Sequence, residues 1–295
     1  MSDPTPQSVT PEWLHEHLDD EDLVIVDATT HLSMPPDGSV HIEPGLDTYA
    51  EAHIPGAVYA DLFTDFSDHQ ALQPFTAVSS DRFAIAAGAV GIGDGRRVVI
   101  YDQSSGIWAA RLWWQLRLEG FDDAAVLDGG LPAWRAAGYP VSEEQVIPHA
   151  ATFTAHRRPD LLTSTQDVLG ALDDPHTLII NALDPATYRG ESPSYPRRGH
   201  IPGSINIPFG DLVDPSTGRL KPAAELREIF EKAGALDPDV RPGGVLRWRH
   251  RRVGRRPRAC RGGSHRRRGL RRFAQRLDRR RVTSARRGTR PSLTR

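Results

Sequence analysis

Three stretches of this chain occur twice in the same order, and that repetition constrains the fold more than any other feature. DLVIVDA (22–28) returns as TLIINAL (177–183), AHIPGAVYAD (52–61) as GHIPGSINIP (199–208), and DRFAIAAGAVGIGDG (81–95) as ELREIFEKAGALDPD (225–239). An ordered internal repeat of this kind indicates a duplicated unit. Within the first unit, the apolar runs DLVIVDA, RRVVIY (96–101) and AAVLD (124–128) are short enough for strands buried on both faces. Between them lie helical stretches. Ser80 is placed to cap the first, with Gly91, Gly93 and Gly95 at its exit, and SGIWAARLWWQLRLEGF (105–121) ends its helix at Gly120. Strands alternating with helices predict an α/β architecture with a parallel sheet and right-handed crossovers.

The second unit stops repeating the first at about residue 243. Where another apolar strand, a loop, a helix and a counterpart of VLDGGLPAW (126–134) should follow, the chain reads RPGGVLRWRHRRVG (241–254). Charge changes at the same point. Residues 1–240 hold 15 Lys+Arg against 37 Asp+Glu, whereas residues 241–295 hold 22 Arg, no Lys and one acid, Asp278. Formal charges of −22 and +21 cancel to a whole-chain value of −1, so the two parts need separate explanations. The predicted organisation is a first domain over 1–145, a linker over 146–162, the N-terminal part of a second domain over 163–242, and an Arg-rich tail over 243–295.

No stretch approaches the roughly 18 consecutive apolar residues of a membrane span, and the N-terminus has no basic start followed by an apolar run. The expectation is a soluble cytoplasmic protein. Cys260 is the only cysteine, which excludes an internal disulfide and a structural zinc site built from several thiolates. No metal and no organic cofactor are expected.

The motifs HIPGA, GHIPGSINIP, YDQSSGIWAARLWW and VLDGGLPAWRAAGYPV together resemble the tandem rhodanese family, the thiosulfate and 3-mercaptopyruvate sulfurtransferases, over residues 10–240. The resemblance implies two tandem rhodanese-like domains, each a parallel sheet flanked by helices, with the second truncated here. It also implies a silent first domain and a nucleophilic cysteine just after the central strand of the second. Its expected partners are a small anionic sulfur donor and a thiol or cyanide acceptor. The location has a physical reason. A loop entering a helix N-terminus turns backbone N–H groups inward and adds the positive end of the helix dipole, which lowers a thiol's pKa. Such a thiolate can accept a sulfur atom, hold it as a persulfide and pass it on. In the first copy Asp102 stands at this position, and a carboxylate cannot carry a persulfide, so that site should be inert. In the second copy the cysteine is missing, and Cys260 lies too far along the chain with no apolar strand before it.

Arginine without lysine is typical of GC-rich DNA read out of frame. Val245–His250 can be encoded GTA CTG CGG TGG CGG CAT, which from its second base reads Tyr-Cys-Gly-Gly-Gly. In the same shifted frame Gly269–Asp278 can read Val-Tyr-Asp-Gly-Ser-Leu-Asn-Asp-Trp, a close match to VLDGGLPAW. The hidden Cys and hidden Asp lie 25 codons apart, against 26 residues from Asp102 to Asp128. The reading is a one-nucleotide slip near codons 242–244, with the catalytic Cys codon straddling Leu246 and Arg247 and no catalytic residue in the chain as written. The hidden loop has no cation beside its nucleophile, which favours mercaptopyruvate over thiosulfate as donor.

Other residues carry weaker signals. Arg189, Arg197 and Arg198 could seat an anionic donor. The family's substrate arginine stands just before an aromatic, whereas here Thr187 precedes Tyr188 and Arg189 follows it; Arg189 and Arg198 are the substrate-binding candidates. His53 and His200, each in HIPG, are expected to be structural, as are Asp128 and Gly129. Trp113 and Trp114 are expected in the core or at a domain interface, and Asn181 stands where the first copy has Asp27. Two readings of other classes stay open: a non-catalytic rhodanese-like binding module, and an Arg-tailed nucleic-acid binder. The tail shows no motif of a known nucleic-acid reader, so no specific nucleic acid is expected.

Overall fold

The structure, a computed structural model, describes residues 6–33, 41–71, 73–192, 197–237, 239 and 241–242. The chain divides into two units, Met1–Arg249 and His250–Arg295, and every described residue belongs to the first. The expectations concerning Leu246, Arg247, Cys260 and the Arg-rich tail lie outside the described residues.

The first lobe runs β1 (Ser8–Val9), α1 (Pro11–Glu16), β2 (Leu23–Asp27), β3 (Thr30–Ser33), β4 (His41–Pro44), α2 (Leu46–Glu51), β5 (Val58–Tyr59), α3 (Ser80–Ala89), β6 (Arg97–Tyr101), α4 (Ile107–Leu118), β7 (Ala124–Leu127) and α5 (Gly130–Ala136). Its sheet has the order β1-β7-β6-β2-β5 with every pairing parallel, and β6 lies at the centre. Side chains alternate across a strand, so β6 feeds two cores. Val98 and Ile100 join Phe83, Ala87, Leu112 and Leu116 under α3 and α4. Val99 and Tyr101 join Leu14, Ile25, Ile54, Leu131 and Trp134 on the other face. This two-sided burial is why β2 and β6 read as unbroken apolar runs. The hairpin β3–β4 and the short edge strand β1 were not expected from the sequence. The N-cap of α3 is Ser79 rather than Ser80, because the Ser79 carbonyl accepts the first helical bond from Phe83 N at 2.9 Å.

Residues 146–162 do more than bridge the repeats, because they are strapped along the first lobe. Ala151 N donates to Gly88 O, Asp94 N to Thr152 O, and His156 N to Glu119 O. Phe153 is buried against Phe83 and Phe121. Arg157 pairs with the buried Glu119 at 3.1 Å, and Arg158 reaches Asp122.

The second lobe contains α6 (Thr165–Ala171), β8 (Thr177–Leu178), β9 (Ile180–Asn181), α7 (Pro185–Arg189), β10 (Ile205–Asn206), α8 (Ala223–Lys232) and β11 (Arg241–Pro242). It repeats the first in detail. Thr10 caps α1 through its hydroxyl, and Ser164 caps α6 in the same place, with the Asp167 carboxylate accepting from Ser164 N in return. β10 lies parallel to β9 as β5 does to β2. Most telling is β11, whose residues Arg241 and Pro242 pair with Thr177 and Leu178 as Arg97 and Val98 pair with Leu23 and Val24. Burial differs sharply between the lobes. Leu169, Leu172, Leu183, Ile201 and Leu220 are all exposed, and no described residue of the second lobe joins the two core clusters.

The strap explains Gly88 near the end of α3. A Cβ there would stand 2.5 Å from the Ala151 carbonyl oxygen. Helix propensity alone predicts that Gly88→Ala stabilises by up to about 1 kcal/mol. The close approach predicts the opposite sign, a lower urea midpoint. Tryptophan fluorescence can follow it, since five of the six tryptophans lie within residues 13–134.

Candidate functional site

The loop between β6 and α4 wraps around one side chain. Asp102 is fully buried, and its Oδ1 accepts from Ser104 N at 2.9 Å and Gly106 N at 2.9 Å. Its Oδ2 accepts from Trp108 N at 2.9 Å and Ala109 N at 3.1 Å, two of the free N–H groups of the first turn of α4. The cradle is therefore an anion site, filled by the chain's own carboxylate. The start of α5 locks onto it. Leu131 N donates to Asp102 O, and Gly130 (φ +55) leaves no room for a Cβ, which would meet Asp102 O at 2.4 Å.

Asp27, at the end of the neighbouring strand β2, is also buried. It accepts from Thr29 N at 2.8 Å, from the Thr29 hydroxyl, and from Gln103 Nε2 at 3.0 Å. Burial pushes its pKa up, against the pull of these donors. In the second lobe Asn181 makes the same turn, its Oδ1 accepting from Leu183 N at 2.9 Å. Asn181 is thus the neutral equivalent of Asp27. Gln103 was not singled out from the sequence; its role follows only from the approach of the β6 loop to β2.

The two HIPG histidines have matching places. His53 stacks on Tyr49 with ring centroids 4.2 Å apart, and His200 on Tyr188 at 3.9 Å. Each ring has Nδ1 2.8 Å from that tyrosine's carbonyl oxygen. Each tyrosine hydroxyl donates onward to the following turn, Tyr49 to Ala57 O and Tyr188 to Ser204 O. These are structural clamps. The tyrosines were missed because a single aromatic four or twelve residues before a histidine carries no periodic signal.

Asp128 Oδ1 accepts from Leu220 N at 2.8 Å, tying the first lobe to the loop closed by the Val213–Leu220 bridge. Trp113 is packed on the core and donates to Ala124 O, while Trp114 donates to Leu161 O near the end of the strap. Arg111 lies 4.7 Å above the Trp114 ring and donates to Phe75 O; burial pushes its pKa down to about 10.

Among the candidate donor-binding cations, Arg189 at the end of α7 forms a bidentate fork with Glu191, at 2.6 and 2.8 Å. Arg197 and Arg198 are exposed on the turn leading to His200. Across the face of β8 and β9 lies a cleft of about 820 Å³, lined among the described residues by Val168, Ile179, Ile201 and Ser204 together with Arg111 and Trp114. That volume falls within the roughly 300–1,000 Å³ of small-molecule pockets. Its walls say otherwise. By the repeat, Val168, Ile179, Ile201 and Ser204 correspond to Leu14, Ile25, Ile54 and Ala57, all members of the first lobe's second core. The described residues thus supply half of an equivalent core.

The cradle makes Asp102 a structural acceptor for four backbone donors. Asp102→Ala leaves them buried without a partner and should lower the first lobe's unfolding free energy by about 2–4 kcal/mol, read by urea denaturation. Asp102→Asn, which keeps one acceptor oxygen, should cost less.

Residues 10–137 match the family model of the rhodanese-like domain. The chain is 34% identical over 223 residues to the 3-mercaptopyruvate sulfurtransferase of Escherichia coli, covering 74% of this chain and 76% of that one. It is also 34% identical over 249 residues to the mitochondrial thiosulfate/3-mercaptopyruvate sulfurtransferase 1 of Arabidopsis thaliana, covering 76% of this chain but 63% of the relative. The crystal structure of the 3-mercaptopyruvate sulfotransferase SseA from Escherichia coli superposes with a TM-score of 0.70 at 29% identity, over 83% of this chain and all of that one. The chain belongs to the rhodanese-type family of thiosulfate and 3-mercaptopyruvate sulfurtransferases.

Proposed function

We propose that the gene behind this chain encodes a cytoplasmic sulfurtransferase that moves sulfane sulfur through a cysteine persulfide, and that the chain as written has lost the activity with its nucleophile. The domain organisation supporting this reading is a complete silent lobe over 1–145, the strap over 146–162, a partial catalytic lobe over 163–242, and out-of-frame residues over 243–295. The observation that carries it is the Asp102 cradle: four N–H donors converge on the side chain that follows the central strand. A thiolate in an equivalent loop would be stabilised by the same donors.

The chemistry needs only that thiolate. Its Sγ attacks the outer sulfur of thiosulfate, the S–S bond breaks, and sulfite leaves with the electron pair. With 3-mercaptopyruvate the C–S bond breaks instead, the carbon keeps the pair as the enolate, and protonation gives pyruvate. Cyanide or a thiolate then attacks the outer persulfide sulfur and releases the cysteine thiolate. No electrons are gained or lost overall, so no redox cofactor is required.

Arg198 and Arg189 are the side chains we propose to hold the donor's anionic group, Arg189 after exchanging its Glu191 partner. In a protein with the frame restored, Arg198→Ala should raise KM for both donors about tenfold or more while kcat changes little; a fall in kcat with KM unchanged would remove Arg198 from donor binding. The chain as written should form no thiocyanate from cyanide with either donor. Turnover comparable to that of the frame-restored protein would refute the proposed loss of the nucleophile.

A further inference from the structure

The pairing of β11 bears on the direction in which the reading frame breaks, an inference that rests on the proposed function. Arg241 pairs with Thr177 as Arg97 pairs with Leu23, and Pro242 follows in step. The chain is therefore in its native register up to Pro242. Counting on from these partners, position 246 corresponds to Asp102 and position 245 to Tyr101.

Two kinds of change bring the hidden Tyr-Cys into frame. Removing one nucleotide after the codon of Pro242 puts the cysteine at position 246; adding two puts it at 247. Only the first matches the register. We infer that the gene carries one extra guanosine directly after the codon of Pro242. Pro242–Leu246 can be encoded CCG GGT GGT GTA CTG. With one G removed this becomes CCG GTG GTG TAC TGC, Pro-Val-Val-Tyr-Cys. Set after Arg241, the result parallels Arg97-Val98-Val99-Ile100-Tyr101-Asp102: an apolar strand, then tyrosine, then the nucleophile's position.

The division of the first lobe's cores supports the same choice. In the first lobe Val99 and Tyr101 point into the core with Leu14, Ile25, Ile54 and Ala57. The restored valine at 243 and tyrosine at 245 share their parity, so they would face Val168, Ile179, Ile201 and Ser204, the counterparts of those four residues by the repeat. A slip of one residue sends every side chain of a strand to the opposite face. The two-nucleotide addition would turn this set away and place tyrosine at the nucleophile's position.

Two genes test the inference, one lacking a single guanosine after the Pro242 codon and one with two nucleotides added there. Their proteins differ by one residue in the strand and are identical beyond it. Each is treated with thiosulfate or 3-mercaptopyruvate and assayed for thiocyanate formed from cyanide, for one added sulfur by intact mass, and for protease resistance of residues beyond 163. The shorter protein should turn over, gain one sulfur and resist protease; the longer should be about 100-fold slower or worse. Equal or faster turnover by the longer protein, or a protease-sensitive second lobe in the shorter, would overturn the register assignment. If the shorter protein is protease-resistant yet takes up no sulfur, the sulfurtransferase reading itself falls.

Discussion

Everything in this fold hangs on the register of the central strand against its neighbour. A β-strand's side chains alternate, so the pairing of Arg97 with Leu23 decides at once which residues of β6 enter each core and which residue leaves the strand at the mouth of the α4 loop. Val99 and Tyr101 go to one side, Val98 and Ile100 to the other. Asp102 then arrives where four N–H groups converge. A displacement of one residue would invert both cores and move the wrong side chain into the cradle.

The duplicated lobes show how much of this arrangement is set before the central strand begins. Caps, clamps and turns recur at matching positions: Thr10 and Ser164 at the first helix, Asp27 and Asn181 at the end of the next strand, Tyr49–His53 and Tyr188–His200 beside it. These are short-range interactions, each closed within about a dozen residues of chain. Burial is not local. The first lobe completes its two cores with β6, α4, β7 and Trp134, whereas Val168, Ile179 and Ile201 line a cleft. Local structure thus persists in the second lobe to the point where the repeat stops.

The sequence made the alternation of strands and helices legible because two-sided burial leaves unbroken apolar runs such as LVIVD and RVVIY. The Asp102 loop was legible from its place after such a run. Other features were not. β1 is two residues long, and the β3–β4 hairpin has a single facing apolar pair, Leu32 and Ile42, too little to show as an alternation. The strap was read as a linker because its hold on the first lobe runs through backbone bonds, the buried Phe153 and ion pairs from Arg157 and Arg158 to distant acids, none of which leaves a periodic pattern. Arg189 looked like a free cation; its fork to Glu191, two residues on, depends on the turn at Gly190.

The similarity to the Escherichia coli enzyme, over 74% of the chain, extends beyond the first lobe, yet the chain has a single cysteine, Cys260, well past the position equivalent to Asp102. A change of reading frame reconciles these facts without asking one chain to be two kinds of protein. The most direct measurement is the nucleotide sequence of the gene across codons 242–250. The account requires the Leu246 codon to end in TG and the Arg247 codon to begin with C, so that TGC straddles them. A Leu246 codon with any other ending, or an Arg247 codon beginning with A, leaves no cysteine there and contradicts it.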